Sequence, residues 1–271
     1  MAEFTLQEAA RHLGVHYMTV YRYVRLGLIP ARKVAGSWRV GADDLVAFRQ
    51  PVAGRPPSGA TPWAKRLEAR MMAGDCAGAW SVVEAAMASG ASPEQVYTEL
   101  LGPAMAAVGE RWAAGDAGVE DEHLASAVAA RLIGKLSPRF TRRGRRKERV
   151  VVTTTPPGER HGLGVAMLAD VLRGRGFDVL ELGPDLPAER LVAILGRVSD
   201  LGAVCLSVMS TDSLEPCAVT LRKVKQEMPG VAVLVGGRAV TSAGQAEAMG
   251  ADGYSPDISH AADLLEQLVG E

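Results

Sequence analysis

Residues 150–164 read VVVTTTPPGERHGLG. Three valines followed by three threonines suit a buried strand, and Pro156-Pro157 close it because a proline nitrogen has no hydrogen to give to a sheet ladder. A loop follows that holds Glu159 and His161 among the glycines at 158, 162 and 164, and a helical pattern begins behind it. The same grammar recurs downstream: apolar runs at 150–154, 179–182, 203–208 and 231–235 alternate with helical stretches. That alternation predicts right-handed crossovers and a doubly wound parallel sheet, in which ligands sit beyond the carboxyl ends of the strands at the topological switch point. The unusual residues fall at those ends. The loop with His161 follows the first run, Ser207 ends the third, and Gly236-Gly237 ends the fourth.

Upstream the patterns differ. Residues 1–50 read as helix, turn, helix: Thr5 with Glu8 three positions on is a capping-box signature, and Leu6, Ala9, Ala10 and Leu13 recur at helical spacing. YMTVYRYVRLG (17–27) starts a second helix, short alternating runs around Gly36-Ser37 signal a hairpin, and GADDLVAF restarts a helix near Asp43. Residues 51–61 are rich in Pro, Gly and Ala and read as a linker. Residues 62–140 carry four amphipathic helical patterns with short connections, which predicts a four-helix bundle. Residues 141–148 form a basic hinge, and 149–271 make the flavodoxin-like, Rossmann-type sheet domain. The chain is therefore expected to be multidomain, α and α/β, with a winged helix-turn-helix in front.

The 271 residues carry 30 Lys and Arg against 31 Asp and Glu, so no global field favours nucleic acid or a membrane. The balance is local instead: residues 1–50 hold seven Lys and Arg against four acids. Cys76, Cys205 and Cys217 show no CxxC spacing and read as structural thiols of a reducing, cytoplasmic compartment. No apolar run reaches the length of a membrane span, and no signal-peptide core is visible. No Ser-His-Asp grouping, phosphate loop or paired-carboxylate site stands out, so no catalytic residue is assigned and the chain is not expected to be an enzyme.

Read as one pattern, the strand ends give Glu159-x-His161-x-x-Gly164, then Ser207-x-Met209, then Gly236-Gly237. This resembles the DxHxxG, SxL, GG pattern of cobalamin-binding domains of the methionine synthase and methylmalonyl-CoA mutase type, with Glu159 for Asp and Met209 for Leu. The resemblance implies that His161 replaces the cofactor's own base as the lower ligand of cobalt and that the nucleotide tail runs past Ser207 and the paired glycines. Neutral imidazole suits cobalt, and a carboxylate two residues earlier can hold the other ring nitrogen. Glycines are expected where backbone must approach a bulky ligand. Expected cofactor contacts are thus Glu159, Arg160, His161, Gly162, Gly164, Ser207, Met209, Gly236 and Gly237.

In the bundle, Trp112 is followed after nine residues by Glu122-His123, which resembles the Wx9EH motif in the helical cap of cobalamin-dependent light-sensing repressors of the CarH type. There the cap covers the upper face of the corrin, the tryptophan packs against an adenosyl group, and the Glu-His pair lines its pocket. Ala113 departs from those members that carry a histidine beside the tryptophan. Residues 1–50 resemble the winged helix-turn-helix of the MerR and excisionase families. That implies a second helix entering the major groove with Tyr17, Thr19, Arg22, Tyr23 and Arg25, and a hairpin whose Arg32, Lys33 and Arg39 reach phosphates or the minor groove.

Together these readings lead to an expectation: a DNA-binding transcriptional regulator, in sense a repressor, that responds to light through adenosylcobalamin and acts on operator DNA as a dimer or tetramer. Two rivals stand beside it. One is a regulator that senses cobalamin without light, which Ala113 keeps open. The other is a corrinoid carrier for methyl transfer, against which the DNA reader at positions 1–50 speaks.

Overall fold

The computed structural model describes residues 3–13, 17, 20–21, 24, 29–34, 36–42, 44–45, 63–140 and 147–269. In the first segment the capping box forms as its residue types require: Thr5 Oγ1 accepts from the Glu8 amide at 3.2 Å, and the Glu8 carboxylate accepts from the Thr5 amide at 2.8 Å. They start helix α1 (Leu6–Leu13). The hairpin appears as β2 (Ala31–Val34) and β3 (Ser37–Gly41), and a strand not foreseen, β1 (Glu3–Thr5), pairs with β3 to complete a three-stranded sheet. At three residues β1 is too short to show an alternating pattern. Tyr17, Val20, Tyr21 and Val24 are helical, and Val20 and Val24 bury against Leu6, Ala9, Ala10, Ile29, Val40 and Leu45 in a core of their own.

The bundle consists of α2 (Trp63–Met72), α3 (Cys76–Ala88), a broken third member and α6 (Val119–Leu136). The third runs as α4 (Pro93–Gln95), a π-helical segment Val96–Leu101, and α5 (Gly102–Ala114). Pro103 accounts for the break, because a proline inside a helix supplies no amide and crowds the preceding turn. The Gly102 amide reaches back five residues to the Tyr97 carbonyl, widening the turn. Gly115, at φ 80°, ends α5 in the left-handed region.

From residue 150 the five strands β4 (Val150–Thr154), β5 (Asp178–Glu181), β6 (Leu201–Ser207), β7 (Ala232–Gly236) and β8 (Gly253–Ser255) form one parallel sheet in the order β5-β4-β6-β7-β8. The first four match the apolar runs. The fifth, three residues long and beginning with glycine, has no apolar run to betray it. Helices α7 (Leu163–Gly174) and α11 (Ile258–Val269) cover one face; α8 (Ala188–Leu195), α9 (Leu214–Glu227) and α10 (Ala243–Met249) cover the other. Because β4 connects outward to β5 while β6 lies on its opposite side, the switch point falls between β4 and β6.

Bundle and sheet share one hydrophobic core: Leu132, Leu136 and Phe140 of the bundle pack in the same cluster as Met167, Leu168 and Val171 of α7 and Val151 of β4. Asp170 of α7, 2 % exposed, pins this seam. The Tyr97 hydroxyl donates to its Oδ2 at 2.7 Å, the Ser137 hydroxyl to its Oδ1 at 2.7 Å, and Arg173 to the same oxygen at 3.1 Å. At the rim Arg175 pairs with Glu94 at 3.0 Å and with Asp263. The thiols of Cys205 and Cys217 are buried, and burial pushes both up to about 12, which keeps them protonated and inert at neutral pH. Among the described residues no helix is long and apolar enough to cross a membrane.

Candidate functional site

Thr154 ends β4, and the Pro-Pro turn delivers Glu159 and His161 to the mouth of the switch point. Threonines hold that loop down. Thr155 Oγ1 donates to the Glu159 carbonyl and accepts from the Asp185 amide at 2.9 Å, while Thr154 Oγ1 donates to the Gly183 carbonyl at 2.7 Å. The β4–α7 and β5–α8 loops are stitched together in this way, a tie invisible in either segment alone.

Glu159 is 1 % exposed, an unusual place for a charge, and its carboxylate is fully used. Oε1 accepts from the backbone amide of His161 at 3.1 Å and from its ring Nδ1; Oε2 accepts from the amides of Met209 and Ser210, each at 2.8 Å. Burial pushes this carboxyl up, but the donors from Ser210, His161 and Met209 outweigh it and hold it below the usual glutamate value. The carboxylate is thus a fixed anion. Nδ1 therefore faces a fixed acceptor while Nε2 lies on the far side of the ring, and the imidazole itself is 62 % exposed. A ring held on one side and open on the other can offer one nitrogen to a ligand or a metal.

Ser207 at the end of β6 and Gly164 in the first turn of α7 face each other: a Cβ at Gly164 would stand 3.6 Å from Ser207 Oγ, in ordinary contact. The paired glycines have another reason for being bare than the one expected. A Cβ at Gly236 would lie 2.7 Å from the Ser255 carbonyl oxygen, and one at Gly237, where φ is +94°, 2.3 Å from the Val208 carbonyl oxygen. The chain's own backbone excludes side chains there. A Cβ at Gly162 would meet the Pro184 ring at 3.2 Å, a tight contact but a milder one than those at the paired glycines. Arg160 is exposed and Met209 half-buried.

The bundle presents the other group. Trp112, near the end of α5, is 55 % exposed, and Val119 and Leu124 on α6 are exposed as well. The Glu122 carboxylate accepts from the Ser126 hydroxyl at 2.6 Å and lies 3.3 Å from His123 Nδ1, which also contacts the Val119 carbonyl at 2.8 Å. One turn before Trp112, a Cβ at Gly109 would stand 3.9 Å from the Arg238 guanidinium, so α5 overhangs the loop that follows the paired glycines. No hydrogen bond joins this upper group to the His161 loop among the described residues. In the first segment Tyr17 is exposed, Arg32 and Lys33 lie on β2 and Arg39 on β3, with Arg32 paired to Glu3 at 2.8 Å. Thr19, Arg22, Tyr23 and Arg25 lie outside the described residues.

Residues 149–262 match the family model described as B12 binding domain, residues 63–137 a second model of that description, and residues 3–51 that of a helix-turn-helix domain. The chain joins a helix-turn-helix domain to two B12-binding domains. It is 37% identical over 153 residues to the HTH-type transcriptional repressor CarH of Myxococcus xanthus, covering 55% of this chain and 49% of that protein. It is 31% identical over 125 residues to dimethylamine corrinoid protein 1 of Methanosarcina mazei, 45% of this chain and 57% of the other. The chain thus spans about half the length of these curated relatives. The monomethylamine corrinoid protein of Methanosarcina barkeri shares the fold, with a TM-score of 0.68 at 20% identity over 76% of this chain and 97% of that one.

The two B12-binding domains carry residues that fit a cobalamin. The Glu159-oriented imidazole provides one nitrogen donor, and no cluster of three or more metal-ligating side chains is present among the described residues to compete with it. Beneath the loop, the Thr153 hydroxyl is buried without a partner. The sequence missed the Met209 and Ser210 amides as partners of Glu159, because a backbone amide leaves no signature in residue type.

Proposed function

We propose that this chain is a cobalamin-dependent, light-responsive transcriptional regulator, a repressor that binds operator DNA as a dimer or tetramer, and not an enzyme. One observation carries the reading: a helix-turn-helix domain shares the chain with an exposed imidazole whose other ring nitrogen is held by a buried carboxylate. In this reading His161 Nε2 is the lower ligand of cobalt. Glu159 holds its Nδ1 and fixes its orientation, Ser207 and Gly164 flank the nucleotide tail, and Trp112, Glu122 and His123 meet the upper group. Adenosylcobalamin supplies a weak, photolabile cobalt–carbon bond. Trp112, Glu122 and His123 would pack against the adenosyl group, so the bundle would bind the cofactor with and without that group with different affinity, and that difference would shift assembly and DNA binding. Linking several readers raises affinity, since one small domain makes few contacts.

The test uses the dark holoprotein with adenosylcobalamin. Green illumination is expected to change its mass in size-exclusion chromatography and to abolish the mobility shift of operator DNA; unchanged profiles in both would overturn the reading. Ala113, beside Trp112, favours a second reading in which the chain responds to cobalamin without light. In that case adding cofactor shifts mass and DNA binding while illumination does nothing. A methyl-carrier role, suggested by the corrinoid relatives, would leave DNA binding indifferent to both.

A further inference from the structure

Helix α6 carries opposite charge at its two ends. Its first turn holds Glu120, Asp121 and Glu122, its far half holds Arg131 and Lys135, and Arg139 follows in the 3₁₀ turn Ser137–Phe140. The three cations recur every fourth residue, so they share one face, and all three are exposed. A cation in the last turn suits the helix dipole, which accounts for Lys135. It does not account for Arg131 in the interior, nor for like charges placed one turn apart, which repel.

Among the described residues none of the three pairs with a carboxylate. Lys135 Nζ lies 5.1 Å and the Arg139 guanidinium 6.0 Å from the centre of the Trp80 ring, and a ring attracts a cation without neutralising it. Elsewhere on the bundle exposed arginines are paired, Arg70 with Asp75 and Arg111 with Glu68. The stripe is thus a row of uncompensated charge. Its complement is a row of negative charge, and duplex DNA is one that the helix-turn-helix domain brings to this chain. The chain from Leu45 to Trp63 spans at most about 65 Å, so DNA held by the reader stays within reach of the bundle.

We propose that Arg131, Lys135 and Arg139 form a second DNA contact, which meets phosphates beside the segment that the helix-turn-helix domain reads. It rests on DNA binding by that domain and not on what the cofactor does. Lys135 is about 20 Å along α6 from Glu122, so the contact is separate from the group around Trp112. Three phosphate contacts alone hold DNA too weakly to shift it in a gel; they add to the grip of the reader.

The experiment titrates the full chain, in the dark with and without adenosylcobalamin, into a labelled random-sequence DNA duplex long enough to run past the reader, and follows anisotropy over a series of salt concentrations. The triple variant Arg131→Gln, Lys135→Gln and Arg139→Gln is expected to bind about tenfold or more weakly at about 0.1 M salt and to flatten the slope of log affinity against log salt by about one for each cation removed. A charge-keeping variant, Arg131→Lys with Lys135→Arg and Arg139→Lys, retains both values. An unchanged slope in the first variant, or the same loss in the second, overturns the contact and leaves the regulator reading standing. A changed mass of the first variant in size-exclusion chromatography also overturns it, by assigning the stripe to a contact between copies. An unmodified chain that binds no duplex at all overturns both this contact and DNA binding as proposed above.

Discussion

A methyl group at Gly237 has nowhere to go. It would sit 2.3 Å from one backbone atom of Val208 and 2.6 Å from another, at a φ of +94° that L side chains avoid. Gly237→Ala is therefore expected to lose about 3 kcal/mol or more of folding stability without any cofactor present, read from urea unfolding. Gly164→Ala is the contrast. Its methyl would meet Ser207 at 3.6 Å, and alanine favours the helix, so the ligand-free chain is expected to be as stable as before or about 1 kcal/mol more so. Both glycines belong to the same motif, and a matching loss in the two would mean that the backbone account of Gly237 is wrong. The motif reading expected the paired glycines to make room for a ligand; the structure adds a cause in the chain's own backbone at Val208 and Ser255, at the ends of neighbouring strands, where spacing along the chain says nothing about approach in space.

Elements were legible in proportion to their length and to how local their cause is. Four of the five strands of the sheet announced themselves as apolar runs, and the capping box joins Thr5 to Glu8 within a single turn. The three-residue strands β1 and β8 did not, because pairing with a neighbour defines them rather than any pattern of their own. The break in the third bundle member had a local sign in Pro103, yet its purpose is distant: the widened turn holds Tyr97, whose hydroxyl meets Asp170 across 73 residues. That pair fastens bundle to sheet. Removing the hydroxyl with Tyr97→Phe leaves Asp170 with Ser137 and Arg173 only, and should lower stability by about 1–3 kcal/mol in thermal or denaturant unfolding. An unchanged midpoint would show that the seam rests on its apolar contacts alone.

At the scale of the molecule, the described residues form three hydrophobic clusters, one of them on the sheet face that α8, α9 and α10 cover. Leu6, Ala9, Ala10, Val20, Val24, Ile29, Val40 and Leu45 form a cluster to themselves, whereas the bundle and one face of the sheet form a single one. A fragment of residues 63–271 is therefore expected to fold and to take up adenosylcobalamin like the full chain, with the same visible spectrum, while losing all mobility shift of operator DNA. A fragment that aggregates or fails to bind would mean that the first domain supports the others. The shared core also restricts what the cap can do. Lifting the bundle away from the sheet means bringing Phe140, Met167 and Leu168 into water and stranding the Asp170 carboxylate. In the proposed switch Phe140 and Asp170 would therefore serve as a fulcrum, and a change at Trp112 is expected to travel as a tilt of the bundle and not as its separation.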